Sequence, residues 1–428
     1  MNPTIKARIE SIRRGKVPEG YKRTKAGILP VDWEFNPLSQ LAQKSKTKNR
    51  EERYTKILTN SANEGIISQT DYFDKQIANN DNIEGYYIVK KGDFVYNPRI
   101  SVAAPCGPIN CYHGEETGVM SPLYTVFSID VKKIERDYVE QFFSSTFWHR
   151  YMKSVANYGV RSDRMNLSDE DFFLLPIPMP MRTEQEKIAE ILAGQDRVIE
   201  LKEKLLAEKQ KQKKYLIQQL LTGKKRLPGF TGEWKKVKLG KCLDEVDLRT
   251  TVNNEYEILS VTKDGIVRQT EHFNRQIASV NNIGYKIIKY NQVAFSVLNL
   301  WMGSVDVLQK TQIGIISPAY KVFNCAVENL LPDFAKHFLR SYEIIWLYNI
   351  NSETGASVVR KNLDIQSLFN CNIVLPPLPE QTAIAEILSA ADKEIELLQK
   401  DIEQEKLKKK SLMQLLLTGI VRVDELVS

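Results

Sequence analysis

At 428 residues the chain is too long for one ordinary core, so two or three domains are expected. With 42% hydrophobic and 26% charged residues it is not a disordered chain, and the lack of any run of roughly 18 apolar residues excludes a membrane-spanning helix. A net charge of +7 fits a polyanionic partner without requiring one. The opening MNPTIKARIESIRRGK is basic but has no apolar core, so it does not read as a secretory signal, and a cytoplasmic protein is expected. The five cysteines are odd in number and scattered. Cys106, Cys111 and His113 raise the idea of a metal site, but no second pair lies at a useful spacing. Reduced thiols are the preferred reading, and no metal is expected.

In chain order, a tryptophan-bearing segment, LPVDWEFNPL (29–38), comes first, followed by GIISQTDYFDKQIA (65–78). Short β-rich runs follow at 86–90, 93–97 and 123–129. The spacing over 137–153 predicts an amphipathic helix whose aromatics belong to a core. Ser168, with Asp171 three residues on, opens a second short helix in a capping-box pattern. A proline-rich stop, LLPIPMPMRT (174–183), reads as a rigid hinge before a long helix that begins EQEKIAEIL and ends YLIQQLLTG.

The chain then says nearly the same thing again. TGEWKKVKL (231–239), GIVRQTEHFNRQIA (265–278) and β-rich runs at 285–289, 293–297 and 319–323 answer the first copy. So do a predicted helix over 332–349, an N-cap at Asp364, the stop NIVLPPLPE (372–380), EQTAIAEIL and SLMQLLLTG. From the stops onward the copies lie 196 residues apart. The boundaries read as an N-terminal segment 1–30, a globular domain 31–183, a long helix 184–223, a second globular domain 224–379, a long helix 380–419 and a tail 420–428.

Each long helix would extend on the order of 58 Å at ~1.5 Å per residue. Apolar residues recur every seventh position: Leu192, Ile199, Leu206 and Leu220 in one, Leu388, Ile395, Ile402 and Leu416 in the other. A lysine interrupts each row at the same place, Lys213 and Lys409. Such stripes need a partner, and the other helix is the nearest. The expected fold is α+β: two mixed α/β domains in tandem repeat, each followed by a long helix. The helices pair as an antiparallel coiled coil about a pseudo-twofold axis, hold the globular parts apart, and bring the terminal segments together.

Catalytic motifs are not found. Asn97-Pro98-Arg99 is the nearest approach to an amino-methyltransferase tetrapeptide, but it lacks the second proline and the aromatic, and no glycine-rich cofactor loop is present. GKKR (223–226) is not a P-loop. No carboxylate set suits a metal nuclease. The histidines at 113, 149, 272 and 337 match no base role, with His149 and His337 read as surface or core-edge residues. No catalytic residue is assigned, which favours binding or scaffolding over an enzyme.

The binding candidates lie in loops. NYGVRSDRMNLSDED (157–171) aligns with SETGASVVRKNLDIQ (352–366), and each carries a turn-forming glycine followed by basic and amide side chains. Arg161, Arg164 and Asn166 in the first, and Arg360, Lys361 and Asn362 in the second, suit phosphates or base edges. They equally suit a solvated loop whose arginine pairs with a nearby aspartate. The copies diverge at YNPRISVAAPCGPIN (96–110), which adds Asn97 and Arg99 to the candidates.

The paired tryptophan segments, the SPxY blocks (121–124 and 317–320), the LPPLPEQ-type stop with IAEIL and the LLTG endings together resemble the specificity (S) subunit of type I restriction-modification systems. The resemblance spans nearly the whole chain, and copy 1 departs from it only with MPMRTEQ where copy 2 has PPLPEQ. It implies two target recognition domains, each reading half of a bipartite, asymmetric double-stranded DNA target. The helices would set the spacer and dock two methyltransferase subunits, with restriction subunits joining that core. It also implies that S-adenosylmethionine, ATP and Mg belong to those partners and that this chain binds no cofactor. The alternatives are a stand-alone DNA-binding nuclease with an unrecognised active site and a coiled-coil protein adaptor.

Overall fold

The computed structural model describes residues 3–24, 27–72, 83–156, 163–272, 281–357 and 360–425. The chain forms two compact units: Met1–Leu201 with Ile402–Ser428, and Lys202–Asp401. Both cuts fall inside long helices, Arg182–Leu220 and Leu378–Leu416, of 39 residues each. Each helix starts two residues before its expected Glu184 or Glu380. Pro379 is tolerated in the first turn, where no N–H is needed.

In the first unit a four-stranded antiparallel sheet runs in the order Ala42–Lys44, Thr125–Ile129, Phe94–Tyr96, Ile109–Cys111. The second repeats it with Leu243–Val246, Tyr320–Cys325, Val293–Ser296 and Val305–Val307. Alternate residues face opposite sides. Phe94, Tyr96 and Phe127 enter the main core of the first unit, while Val95 and Val126 enter a smaller one with Leu58, Val89 and Met120. Val293, Phe295 and Phe323 against Ala294 and Val322 do the same in the second unit. Both faces of the central strands are covered, which is why Phe94-Val95-Tyr96 and Val293-Ala294-Phe295 are continuous apolar runs rather than alternating ones.

The main core of the first unit is closed by Tyr138 and Phe142 of a short helix, Arg136–Ser144. It is completed by Ile188 and Leu192 near the start of the first long helix and by Met413, Leu416 and Leu417 at the end of the second. Ile384, Leu388, Leu220 and Leu221 play these parts in the second unit. The termini meet, as the sequence led one to expect: Arg8 of the helix Pro3–Arg13 holds Glu425 at 2.8 Å and Ile420 O at 2.9 Å, and Tyr21 Oη donates to Gly419 O at 2.7 Å. Gly419 is left-handed at φ +63°, and a Cβ there would stand 2.5 Å from Pro30, so the LLTG glycine is a backbone requirement.

Several expectations are corrected. The proline-rich stops hold strands: Pro176–Met179, with two prolines inside it, pairs with Glu34–Pro37, whereas Asn372–Leu375 pairs with Lys235–Lys238 and Pro376-Pro377 then link it to the long helix. In a two-stranded ribbon every strand is an edge, so a proline without an N–H can face outward. The helix expected over 137–153 is two, Arg136–Ser144 and His149–Val155. Ser145 turns extended, and its hydroxyl takes the Phe142 carbonyl at 2.6 Å, competing with the next helical bond. The one expected over 332–349 is likewise Pro332–Phe338 and Tyr342–Ile350. On the latter, Tyr342 and Trp346 are exposed, so not every aromatic there is core. The loop expected before Asp364 is a bulged hairpin, Ser352–Ser357 with Arg360–Leu363. His337 is buried rather than at the core edge. The caps are as expected: Ser168 accepts from Asp171 N, and Asp364 from Ser367 N, both at 3.0 Å.

Candidate nucleic-acid interface

In the first unit the candidate residues gather where the loop leaving strand Phe94–Tyr96 meets the segment ahead of the helix Asp169–Phe173. Strand Phe94–Tyr96 runs into Asn97-Pro98-Arg99. The Asn97 side chain shapes this turn: its Oδ1 accepts from Arg99 N at 3.0 Å, and its Nδ2 donates to Asn60 O at 3.0 Å. Met165 N donates to Pro98 O at 2.9 Å and Ile100 N to Asp163 O at 3.0 Å. These two bonds flank an antiparallel bridge between Arg99 and Arg164. A pair flanked in this way is non-hydrogen-bonded, with Cα atoms about 4.5 Å apart and both side chains on one face. Buried Met165 pins the second loop from beneath.

Two arginines therefore stand opposite each other, which is unfavourable without a counter-charge. Among the described residues no carboxylate pairs with either guanidinium, so for Arg164 the aspartate-paired alternative finds no support. The two arginines line a cleft of about 620 Å³ together with Asn97, Gln69, Tyr86 and Tyr124. Cationic forks beside amides and hydroxyls can bind phosphate or base edges. Asn166 is exposed beyond the bridge. Arg161 and the side chain of Arg360 lie outside the described residues.

The second unit builds a different tip on the same frame. Leu298 replaces Arg99, and its carbonyl accepts from Lys361 N at 3.4 Å. The Lys361 ammonium lies 4.8 Å from the centre of the Trp301 ring and donates to Asn349 Oδ1 at 2.6 Å. Asn362 is exposed and pairs with Glu353 in the hairpin.

The repeated Glu-Gln at each helix start also has a task. Glu184 accepts from Trp33 Nε1 at 3.2 Å and from Nε and Nη2 of Arg422, both at 2.7 Å. Glu380 accepts from Trp234 Nε1 at 3.1 Å and from the same two nitrogens of Arg226 at 2.7 Å. Gln185 Oε1 accepts from Glu135 N at 2.8 Å while its Nε2 donates to Pro180 O at 2.9 Å, and Gln381 repeats this with Leu331 and Pro376. The arginines were missed in the sequence, although both stand three residues after an LLTG.

Pairing of the long helices is antiparallel within each unit. In the first, Asp196 meets Lys409 at 2.5 Å and Gln195 Nε2 donates to Glu405 at 2.7 Å. In the second, Lys202 meets Asp401 at 2.8 Å, Lys209 meets Glu394 at 2.6 Å, and Lys213 meets Asp392. Of the seven-residue rows, Leu192, Leu220, Leu388 and Leu416 are absorbed into the globular cores, so packing of each helix on a domain is part of their use. Ile199 and Ile402 are buried and Leu206 and Ile395 half-buried along the shafts. Among the described residues no helix is long and apolar enough to cross a membrane.

The profile of the type I restriction modification DNA specificity domain matches residues 30–211 and 270–406. The putative type I restriction enzyme MjaX specificity subunit of Methanocaldococcus jannaschii is 24% identical, covering 95% of this chain and 97% of its own. The MjaVIII specificity subunit of the same organism is 26% identical over 72% of this chain and 76% of its own. Among solved structures, one described as showing complex assembly and conformational transition of the type I R-M system aligns with a TM-score of 0.56 at 17% identity, over 92% of this chain and 99% of that one. The S subunit of the type I restriction-modification system from M. genitalium aligns at 0.50 and 12%, over 90% and 96%. With a repeated α/β frame, antiparallel helices and two matched spans, the chain belongs to the type I restriction-modification DNA specificity family, as a specificity subunit with two DNA recognition domains in tandem.

Proposed function

We propose that this chain is a non-catalytic subunit whose two units read unlike halves of one bipartite double-stranded DNA target. The observation that carries this is the pairing of one frame with two tips: Arg99 facing Arg164 in the first unit, and Leu298 with Lys361 and Trp301 in the second. A shared frame presents each tip in the same way to a similar duplex, and unlike tips read unlike bases. The long helices set the spacer and seat two methyltransferase subunits, to which restriction subunits add. Exposed Val198, Leu201 and Leu407 in the first unit, and Leu205, Tyr215 and Leu397 in the second, supply apolar surface for partner helices. S-adenosylmethionine, ATP and Mg are used by the partners, and the complex acts in the cytoplasm.

The test is to express the chain with a methyltransferase subunit and map the methylated positions. A split motif with two dissimilar halves is expected. A continuous motif or a palindrome overturns the reading. Cleavage of DNA by the isolated chain with magnesium would support the nuclease alternative instead.

A further inference from the structure

Cys111 ends the last strand of the first unit's sheet, His113 follows two residues on, and Glu140 lies on the helix Arg136–Ser144. The Cys111 sulfur, a ring nitrogen of His113 and a carboxylate oxygen of Glu140 all lie within 4.8 Å of one another. His113 Nε2 is 2.7 Å from Glu140 Oε1. Ligand atoms around a tetrahedral zinc, with bonds of about 2.0–2.3 Å, stand roughly 3.3–3.8 Å apart. Side-chain shifts of about an ångström would therefore close the set. Cys111 is buried, Glu140 half-buried and His113 exposed, beside a cleft of about 420 Å³ that Lys56 and Glu64 also line.

The donor types are selective. A thiolate, an imidazole and one carboxylate suit zinc, whereas calcium and magnesium take oxygen ligands. The repeat supplies an internal comparison. The second unit has Val307, Gln309 and Lys336 at these three positions. Gln309 there donates to Asn291 and Asp333. The shared frame is thus built without the three donors, so their convergence is not a demand of the fold.

We propose that Cys111, His113 and Glu140 hold a zinc ion in the first recognition domain, with a fourth position open to solvent on the cleft side. The sequence paired Cys106 with Cys111, but the Cys106 thiol turns instead to His149 O at 3.8 Å, and Glu140 takes its place. The ion would tie the helix to the sheet edge. Zinc binds the thiolate, so binding displaces the Cys111 proton and affinity falls as pH drops.

The test uses the tag-free full-length chain, stripped with chelator and titrated with zinc chloride alone, then with cobalt chloride. One equivalent of zinc retained through gel filtration is expected, together with a thiolate-to-cobalt charge-transfer band. Cys111→Val and His113→Gln introduce the second unit's own residues. Each should lower zinc affinity about tenfold or more, and the first should abolish the band. If Cys111→Val fails to fold, His113→Gln, at an exposed side chain, carries the comparison. No retained zinc in the wild type, a cobalt spectrum without the thiolate band, or unchanged affinity in His113→Gln overturns the proposal.

Discussion

Lys409 closes on Asp196 at 2.5 Å, and the residues 196 positions away from each, Lys213 and Asp392, close on one another in the same way. The lysine that breaks each seven-residue row is therefore the partner of an aspartate on the antiparallel helix. Partly exposed pairs contribute little, so its main effect is on register. Asp196→Lys should destabilise the chain by ~1 kcal/mol or more, and adding Lys409→Asp should restore part of it, since Asp196 also accepts from Gln141 Nε2 at 3.1 Å. A double-mutant cycle in urea measures the coupling, expected at about 0.5–1 kcal/mol. Simple additivity would remove the pair from the account.

The Arg226–Glu380 pair should matter far more. The Glu380 side chain is 0% exposed, so Arg226→Ala would strand a buried carboxylate. A loss of about 3–5 kcal/mol is expected. Glu380→Gln with Arg226→Ala should recover part of it, because the amide costs less to bury unpaired. Denaturant midpoints would show this. A loss under ~0.5 kcal/mol would mean that the pair does not hold the helix start.

Arg99 and Arg164 give a prediction with opposite signs. Arg164→Ala removes a like-charge neighbour and should stabilise the free protein slightly, by about 0.2–1 kcal/mol. The same change should weaken DNA binding by the assembled complex. A base contact would cost ~1–3 kcal/mol and relax one half-site only. A phosphate contact would weaken all sequences alike and reduce the salt slope. Equal affinity for wild type and variant across a salt series would make the bridge purely structural.

His337 sets a pH dependence. Its Nε2 lies 3.1 Å from Ser389 Oγ and its Nδ1 3.7 Å from Asp392. Burial lowers its pKa from 6.5 to about 4; the carboxylate of Asp392 opposes this, and Lys213, Lys336 and Arg340 add to it. The unfolded chain takes up this proton first. The contribution is complete above pH ~6.5 and is lost as pH falls towards ~4. His337→Gln, the residue the first unit has at Gln141, should remove this slope. Between pH 7.5 and 5, wild type should lose about 1–2 kcal/mol more than the variant. Parallel slopes would mean that burial does not lower the pKa of this imidazole.

Much of the architecture could be read locally. The 196-residue repeat, the two long helices, the caps at Ser168 and Asp364 and the lysine-broken rows all rest on periodicity or on contacts a few residues apart. Individual candidate residues could be named from the sequence, Arg99 and Arg164 among them, although Gly355, read as a turn, lies inside the strand Ser352–Ser357. Their arrangement was not. That Arg99 lies opposite Arg164, that Asn97 is spent on shaping its own turn, and that Glu140 joins Cys111 and His113 depend on how distant strands and helices are laid together. Arg422 reaches Glu184 across 238 residues of sequence because the chain returns to its own beginning. Local patterns encode the period and ends of an element, because those are settled by neighbouring backbone groups. Which face meets which is settled by burial, and each stop holds a strand only because a partner strand lies beside it.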